Sequence, residues 1–425
     1  MFHNRINFDK LKAKNEFTRN VLTLMMGTTI AQAIPIAISP ILTRIYSPKD
    51  FGLFALFMSI TSFISVSATA RYELAILLPK SEEEAINIVS LSMIFAILIS
   101  LISLLVIFIF KAKIVDFFNN PEVSNWLYLI PLSVLLTGFY QSFNYWTNRK
   151  KNYKRLASNR VIQTTSTASA NLLIGILSKF NGLILGQIIG QAIVTFILGK
   201  KIWQEDVNAL KVVSTNMQIT QLKTYKKFPL LNLPNAIIDG VRLVGIDTLI
   251  TKFFTSSILG QYYLAFRMLQ APMSIIGSSF SQVFIQKIAS VDKKEINVIV
   301  KKFISLSFII TVPIFSLIYF LAPLIFKIIF GKEWIIAGNI ASILCPWIAL
   351  NFISSPISNV YIVLNKQEYM LIFAILYMIL PLSIIYFYHD LGLITVLNYL
   401  SVVMSVLLIG FIFSAYLLSL RVKNG

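Results

Sequence analysis

The chain holds one cysteine, Cys345, and two histidines in 425 residues. A lone cysteine inside an apolar run excludes an intrachain disulfide, and so few thiols and imidazoles exclude a Cys/His metal cluster. No glycine-rich phosphate loop is present, so the chain does not hydrolyse ATP. His3 and His389 stand in terminal and loop contexts, which leaves no credible Ser/His/Asp set. Charge is scarce: 13% of residues are charged, against roughly 25% in an ordinary soluble domain.

What fills the chain instead is apolar sequence, 56% of all residues. Runs of the length needed to cross a hydrocarbon core of roughly 30 Å recur from end to end. Twelve helices are expected, at 21–43, 51–70, 85–110, 125–146, 161–178, 181–199, 232–253, 258–286, 303–326, 335–363, 369–388 and 392–418. The ten-residue alternation of a membrane barrel is missing. The expected fold is therefore an all-α integral membrane protein. The first 20 residues are polar and basic and run straight into a full-length span, which predicts no cleavable signal peptide.

Acidic residues are half as common as basic ones, 18 against 37, for a net charge of +19. With the N-terminus in the cytoplasm, 27 Lys/Arg fall in cytoplasmic segments, 8 in outer loops, and two, Arg242 and Arg267, inside spans. That is the positive-inside bias, and it places both termini in the cytoplasm. Loops such as NRKKNYKR (148–155) then lie against anionic membrane lipids. The basic balance needs no nucleic acid.

LTRIYSPKDFG (42–52) recurs 208 positions later as ITKFFTSSILG (250–260), each between two apolar runs. Thr43 meets Thr251 and Gly52 meets Gly260, with Leu/Ile, Arg/Lys, Tyr/Phe and Ser/Thr in register. Both copies are outer loops, and the six spans between them preserve orientation. The halves are therefore expected to be parallel repeats related by an axis along the membrane normal. This gives an N-terminal six-helix bundle at 1–199, a cytoplasmic interfacial linker at 200–231 and a C-terminal six-helix bundle at 232–425. Within the linker, Trp203, Val207, Leu210 and Met217 fall roughly on one helical face, a pattern that suits either an interfacial helix or a solvated tether.

Several spans are too polar for anchors. Span 5 reads QTTSTASAN (163–171), span 1 carries Thr28, Thr29 and Gln32, and span 4 ends with Gln141, Ser142 and Asn144. Such residues either let helices pack closely or wet a cavity. Span 7 holds Asp239, Arg242 and Asp247, and span 8 holds Arg267. A charge at membrane depth costs roughly 2.5–3.5 kcal/mol, so it faces protein or a water-filled cavity. These charges are either an ion pair fastening helices or the lining of a cationic cavity. The positions opposite Arg242 and Arg267 in the repeat are Ile34 and Ser59, so the second half is expected to supply the contacts to an anionic ligand. Prolines at 35, 40, 131, 234, 272, 313, 346 and 356 interrupt the spans and permit bends. After span 2, RYELAILLPKSEEEA (71–85) puts Arg71 and Glu73 at the cytoplasmic edge, as gate or border residues, and three glutamates at the start of helix 3.

LTRIYSPKDFGLFALF, RYELAILLP and LGQYYLAFRMLQAPMSIIGSSFSQVFIQKIA together resemble the bacterial lipid-linked oligosaccharide flippases of polysaccharide biosynthesis (Wzx type), members of the multidrug/oligosaccharidyl-lipid/polysaccharide (MOP) exporter superfamily. The resemblance covers nearly the whole chain. It implies two bundles around a central cavity in the bacterial inner membrane, and movement of an undecaprenyl-pyrophosphate-linked glycan for O-antigen (lipopolysaccharide), capsule or exopolysaccharide. Polysaccharide polymerase machinery is the implied partner. Under it Arg242 and Arg267 pair with the diphosphate or acidic sugars, Tyr262 and Tyr263 lie against sugar faces or anchor at the interface, and Asp239 or Asp247 binds a coupling proton or sodium ion. No other cofactor is implied, and the chain is read as a transporter rather than an enzyme. A multidrug exporter of the same superfamily is the alternative, but it would favour carboxylates. A membrane polymerase of the same pathway would need more than the longest outer loop, about 14 residues at 111–124.

Overall fold

A computed structural model describes residues 5–177, 181–272, 281, 284, 287, 288, 291, 295–364 and 366–424. Side chains are described for these residues except 5–21, 235, 239, 272 and 422–424. Fifteen α-helices lie among the described residues. They are α1 (Arg5–Ile45), α2 (Pro48–Ser65), α3 (Glu82–Phe118), α4 (Leu129–Arg149), α5 (Tyr153–Leu177), α6 (Gly182–Glu205), α7 (Val207–Lys211), α8 (Thr215–Thr224), α9 (Leu233–Phe253), α10 (Ser256–Pro272), α11 (Ile296–Ile329), α12 (Ile335–Ile357), α13 (Asn359–Val363), α14 (Gln367–Tyr388) and α15 (Leu393–Asn424). Twelve of them coincide with the expected spans; most of span 8 beyond Pro272 lies outside the described residues. Seven helical stretches are long and apolar enough to cross a membrane by length and composition alone. Helix α9 is not among them, because Asp239, Arg242, Asp247 and Lys252 share its 21 residues.

The chain divides into two compact units. The first comprises 1–38, 60–114 and 124–237, the second 39–59, 115–123 and 238–425. The dividing line crosses α1, α2 and α3, so residues 39–45 of α1, 48–59 of α2 and 115–118 of α3 belong with the second unit.

In the first unit, α5 packs along α6. A Cβ at Gly186 would overlap the Asn171 side chain, and one at Gly190 would overlap Thr167. The small-xxx-small seam lets the two backbones approach. Gln163, one turn below Thr167, donates to Gln191 of α6. Of the two readings open for span 5, close packing thus accounts for Gln163, Thr167 and Asn171. Thr165 and Ser169 remain exposed.

Polar contacts staple the end of this unit where α4 and α6 finish and α3 begins. Trp146, 1% exposed, donates its indole N–H to Asp206 Oδ2 at 2.8 Å. Lys150 bridges Asp206 (3.1 Å) and Glu82 (2.7 Å). Burial works against the Lys150 ammonium, yet its hydrogen bonds to Glu82 and Asp206 outweigh it and hold the pKa above the ordinary lysine value. Ser81 caps α3 through its Oγ, which accepts from Glu84 N at 3.2 Å. Asp206→Ala strips the buried indole of its acceptor, a loss of about 1–3 kcal/mol. The purified variant will melt several degrees below wild type in a thermal scan, while Asp206→Asn, which keeps an acceptor oxygen, will lose less.

The linker is not one interfacial helix. It breaks at Asp206 and again before Ser214, whose Oγ caps α8 by accepting from Met217 N. Asn87 holds the break by bonding Val212 O and Ser214 N, Gln218 donates to Ser90, and the Tyr72 hydroxyl donates to Leu222 O. Leu210, Val213, Tyr225 and Phe228 pack on a core of Tyr72, Ile76, Ile86 and Trp146, while Trp203 stays exposed. Buried backbone groups freed by the break find these side-chain partners, and so the segment docks on the first unit.

The second unit is built on α10, α11, α12 and α15. One of its apolar clusters joins Phe284, Ile288, Val300, Ile353, Tyr361 and Phe411. Helices α11, α12 and α14 keep their internal prolines at 313, 323, 346, 356 and 381.

Candidate functional site

The two copies of the repeated turn meet inside the second unit. Gly52, in the first turns of α2, lies against Ser256 and Gly260 of α10; Gly260 lies against Pro48 and Gly52 of α2. The contact is reciprocal: a Cβ on Gly52 would overlap the Ser256 carbonyl oxygen, and one on Gly260 would overlap the Pro48 carbonyl oxygen. Pro48 and Ser256 are themselves 208 positions apart, so matching positions of the two turns exchange the same contact. Backbone meets backbone here, which is why both copies end in glycine. Around the seam, Phe51 sits edge-on to Trp334 at 4.9 Å, Trp334 donates to Thr43 O at 3.2 Å, and Asn120 donates to Ser256 Oγ at 2.9 Å. Gln261 ties α10 to the start of α12, donating to Glu333 O and accepting from Ala337 N.

One to three turns before the end of α9 the charged positions come together. Asp247 accepts a hydrogen bond from Ser59 Oγ of α2 at 2.7 Å. Arg242 lies within electrostatic reach of Asp247, and its guanidinium rests over the Tyr377 ring of α14, 5.0 Å from the centroid. The Tyr377 hydroxyl in turn accepts from Trp347 Nε1 of α12 at 3.0 Å, which fixes the ring. A guanidinium seated on an aromatic face keeps its in-plane N–H fork suited to carboxylate or phosphate oxygens. Tyr262 is buried, stacked on Phe266 at 5.6 Å, and close enough to Asp247, Arg242 and Tyr377 to feel their charge. Tyr263, half-buried, meets Phe54 edge-on at 5.8 Å and receives Arg267 Nη1 on its hydroxyl at 3.4 Å. The structure thus groups Arg242, Asp247 and Tyr262, and separately pairs Arg267 with Tyr263. Asp239 is on α9, with its side chain outside the described residues.

Arg71 and Glu73 lie in the first unit. Arg71 adopts a left-handed backbone (φ 65°) ahead of a 3₁₀ turn at Tyr72–Leu77. Glu73 is 2% exposed, accepts from Thr69 Oγ1, and sits 3.5 Å from Arg71 Nη1. The same turn carries Tyr72 against Phe95 and receives Arg149 on Ile76 O.

Sequence reasoning missed four participants. Ser59 was noted as the repeat partner of Arg267, and nothing in that relation pointed to its bond with Asp247. Tyr377 and Trp347 carried no local signal. Arg160, counted among cytoplasmic loop residues, stands two turns inside α5 and donates to Thr28 Oγ1 of α1. The helix begins at Tyr153, eight residues before the expected start at 161, and so includes it.

A family model described as "Polysaccharide biosynthesis protein" matches residues 41–338. No curated protein sequence matches the chain. Among solved structures, the lipid II flippase MurJ in an inward closed conformation is similar with a TM-score of 0.74 at 14% identity, covering 96% of this chain and 90% of that one. An inward-facing multidrug resistance MATE family transporter of the MOP superfamily is similar at 0.68 and 13%, covering 95% of each chain. A MOP superfamily transporter from Pyrococcus furiosus, whose binding pocket is described as of reverse polarity, is similar at 0.60 and 12%, covering 96% of each. At these identities the likeness is one of fold, and it is the MOP transporter fold.

Proposed function

The chain belongs to the polysaccharide biosynthesis protein family, and from that premise we propose that it is a flippase for undecaprenyl-pyrophosphate-linked oligosaccharide repeats. It works in the bacterial inner membrane with both termini cytoplasmic, and the glycan goes to O-antigen, capsule or exopolysaccharide. The observation that carries the reading is Arg242, seated on Tyr377 at membrane depth in α9. A cation held there on an aromatic face suits a diphosphate or an acidic sugar, and it does not suit the cationic compounds a multidrug exporter would carry. Arg267, held by Tyr263, offers a second guanidinium. The bound ring faces available to a sugar include Tyr263, which is half-buried, and not Tyr262, which is enclosed by protein.

Transport proceeds by alternating access, with a proton or sodium gradient as the drive. Asp247, bonded to Ser59 across α9 and α2, is the carboxylate positioned for the coupling ion. The glycine seam closes the outer side, and Arg71 with Glu73 borders the inner one. The chain does no covalent chemistry on its substrate, and polysaccharide polymerase machinery acts after it.

The experiment is complementation. The gene is deleted in its host and restored as wild type, with membrane expression matched. Surface polysaccharide and the leaflet location of the lipid-linked repeat are then assayed. Wild type will restore surface glycan and the deletion will trap the repeat in the inner leaflet. If wild type restores no glycan and instead lowers the accumulation of a cationic dye, the exporter reading replaces this one.

A further inference from the structure

Two cavities open on the face shared by α11 and α15, at the end where α11 begins and α15 finishes. One, of about 340 Å³, runs along Ile304, Phe308, Ile412 and Phe413. The other, of about 770 Å³, runs along Val298, Leu306 and Ile309. Both are lined by Lys301, Ser305 and Tyr416, and Lys302 also lines the larger one. The helices are fastened beside it by Asn297 donating to Ser419 Oγ at 2.9 Å. Neither lysine has an ion-pair partner among the described residues. An ammonium, an alcohol and a phenol are therefore common to both cavities, each of which also has apolar lining.

We propose that this face holds one anionic glycerophospholipid of the cytoplasmic leaflet. Its phosphate sits at Lys301, Ser305 and Tyr416, with Lys302 beside it, and each cavity takes one acyl chain. The chemistry fits at both ends. Three donors and a net positive charge suit a phosphate bearing no compensating cation. Apolar residues in both cavities, Ile304, Phe308, Ile412 and Phe413 in one and Val298, Leu306 and Ile309 in the other, suit a headgroup with two chains rather than one. Length fits as well: from Asn297 to Ile309 the helix rises about 18 Å, close to the half-thickness of a hydrocarbon core of roughly 30 Å. The site lies on helices that carry neither Arg242 nor Asp247. It rests on the cytoplasmic placement of the termini and not on the identity of the transported glycan.

The test is native mass spectrometry of the full-length protein released from nanodiscs containing equal phosphatidylglycerol and phosphatidylcholine. Wild type will retain phosphatidylglycerol preferentially. Lys301→Gln and Lys302→Gln are surface changes that leave packing intact, and each will lower the preference about five-fold. The control Lys226→Gln/Lys227→Gln, on the exposed linker end, will retain it. Equal retention of the two lipids by wild type overturns the proposal, as does an equal loss in the control, which would mean bulk surface charge. Displacement of phosphatidylglycerol by equimolar undecaprenyl phosphate also overturns it, because the occupant would then be the carrier lipid. A glycan-export phenotype is not among the readouts, so failure here leaves the flippase reading standing, and failure of that reading leaves this one.

Discussion

Gly52→Val and Gly260→Val will each abolish surface polysaccharide while the protein remains in the membrane at wild-type level. The reason is the reciprocal seam. A side chain at Gly52 runs into the Ser256 carbonyl, and one at Gly260 runs into the Pro48 carbonyl, each with the partner glycine's amide nitrogen behind it at 3.2 and 2.8 Å. Overpacking normally costs about 1–3 kcal/mol, relieved by rotamer shifts. Here the obstacles are main-chain atoms on two helices, so relief requires the helices to part. A penalty of about 3 kcal/mol on the closed seam shifts the balance between closed and open roughly a hundred-fold. The check is accessibility. A cysteine at Thr43, 6% exposed and bonded through its carbonyl to Trp334, reports the closed state. It will resist an impermeant maleimide in the parent and react in the Gly52→Val background. The native Cys345, 1% exposed, stays silent. Gly410→Val is the matched control, because a Cβ there meets nothing within 4 Å, and it will export normally. Unchanged labelling at position 43 alongside normal export would mean that the seam is a static joint.

Arg242→Ala will lower flipping of the lipid-linked repeat about a hundred-fold. Two charge-assisted hydrogen bonds to a diphosphate are worth about 3 kcal/mol together. Arg242→Lys will fall between, near ten-fold, because an ammonium keeps the charge and gives up both the planar fork and the seat on Tyr377. Tyr377→Leu, which removes the seat and keeps the arginine, will resemble Arg242→Lys. Asp247→Asn retains a partner for Ser59 and removes only the charge, so it will leave substrate binding intact and abolish dependence on the ion gradient. The measurement is leaflet location of the repeat in vesicles, with and without the gradient. Full activity in Arg242→Ala would make the arginine a packing element and move the search for the ligand to Arg160, Thr28 and the exposed Thr165 and Ser169 of the first unit.

The all-α class and the membrane setting were legible because apolar length and charge asymmetry act locally and add along the chain. Helices stand at the expected apolar runs, span 8 being described as a helix only to Pro272. The ends were less legible. Helix α5 begins well before the apolar run because a helix continues through Lys154, Arg155 and Arg160 once its other face is packed, Leu156 and Ala157 being buried. The linker went the other way. Its helical periodicity was real, yet Trp146 and Lys150 hold Asp206 at the first break, Ser214 caps α8, and Asn87, far off in sequence, satisfied the opened backbone.

From the sequence alone came a basic, polytopic, twice-repeated chain with charges buried in span 7, because composition, periodicity and the cost of a charge in hydrocarbon are written residue by residue. The tertiary structure decided what those residues meet. The repeated glycines touch each other, Arg242 rests on Tyr377, Asp247 takes a hydroxyl from α2, and Gln163, Thr167 and Asn171 of span 5 close against α6. Each is a contact between segments tens to hundreds of residues apart, formed only when separate helices dock, and no local pattern specifies which faces meet.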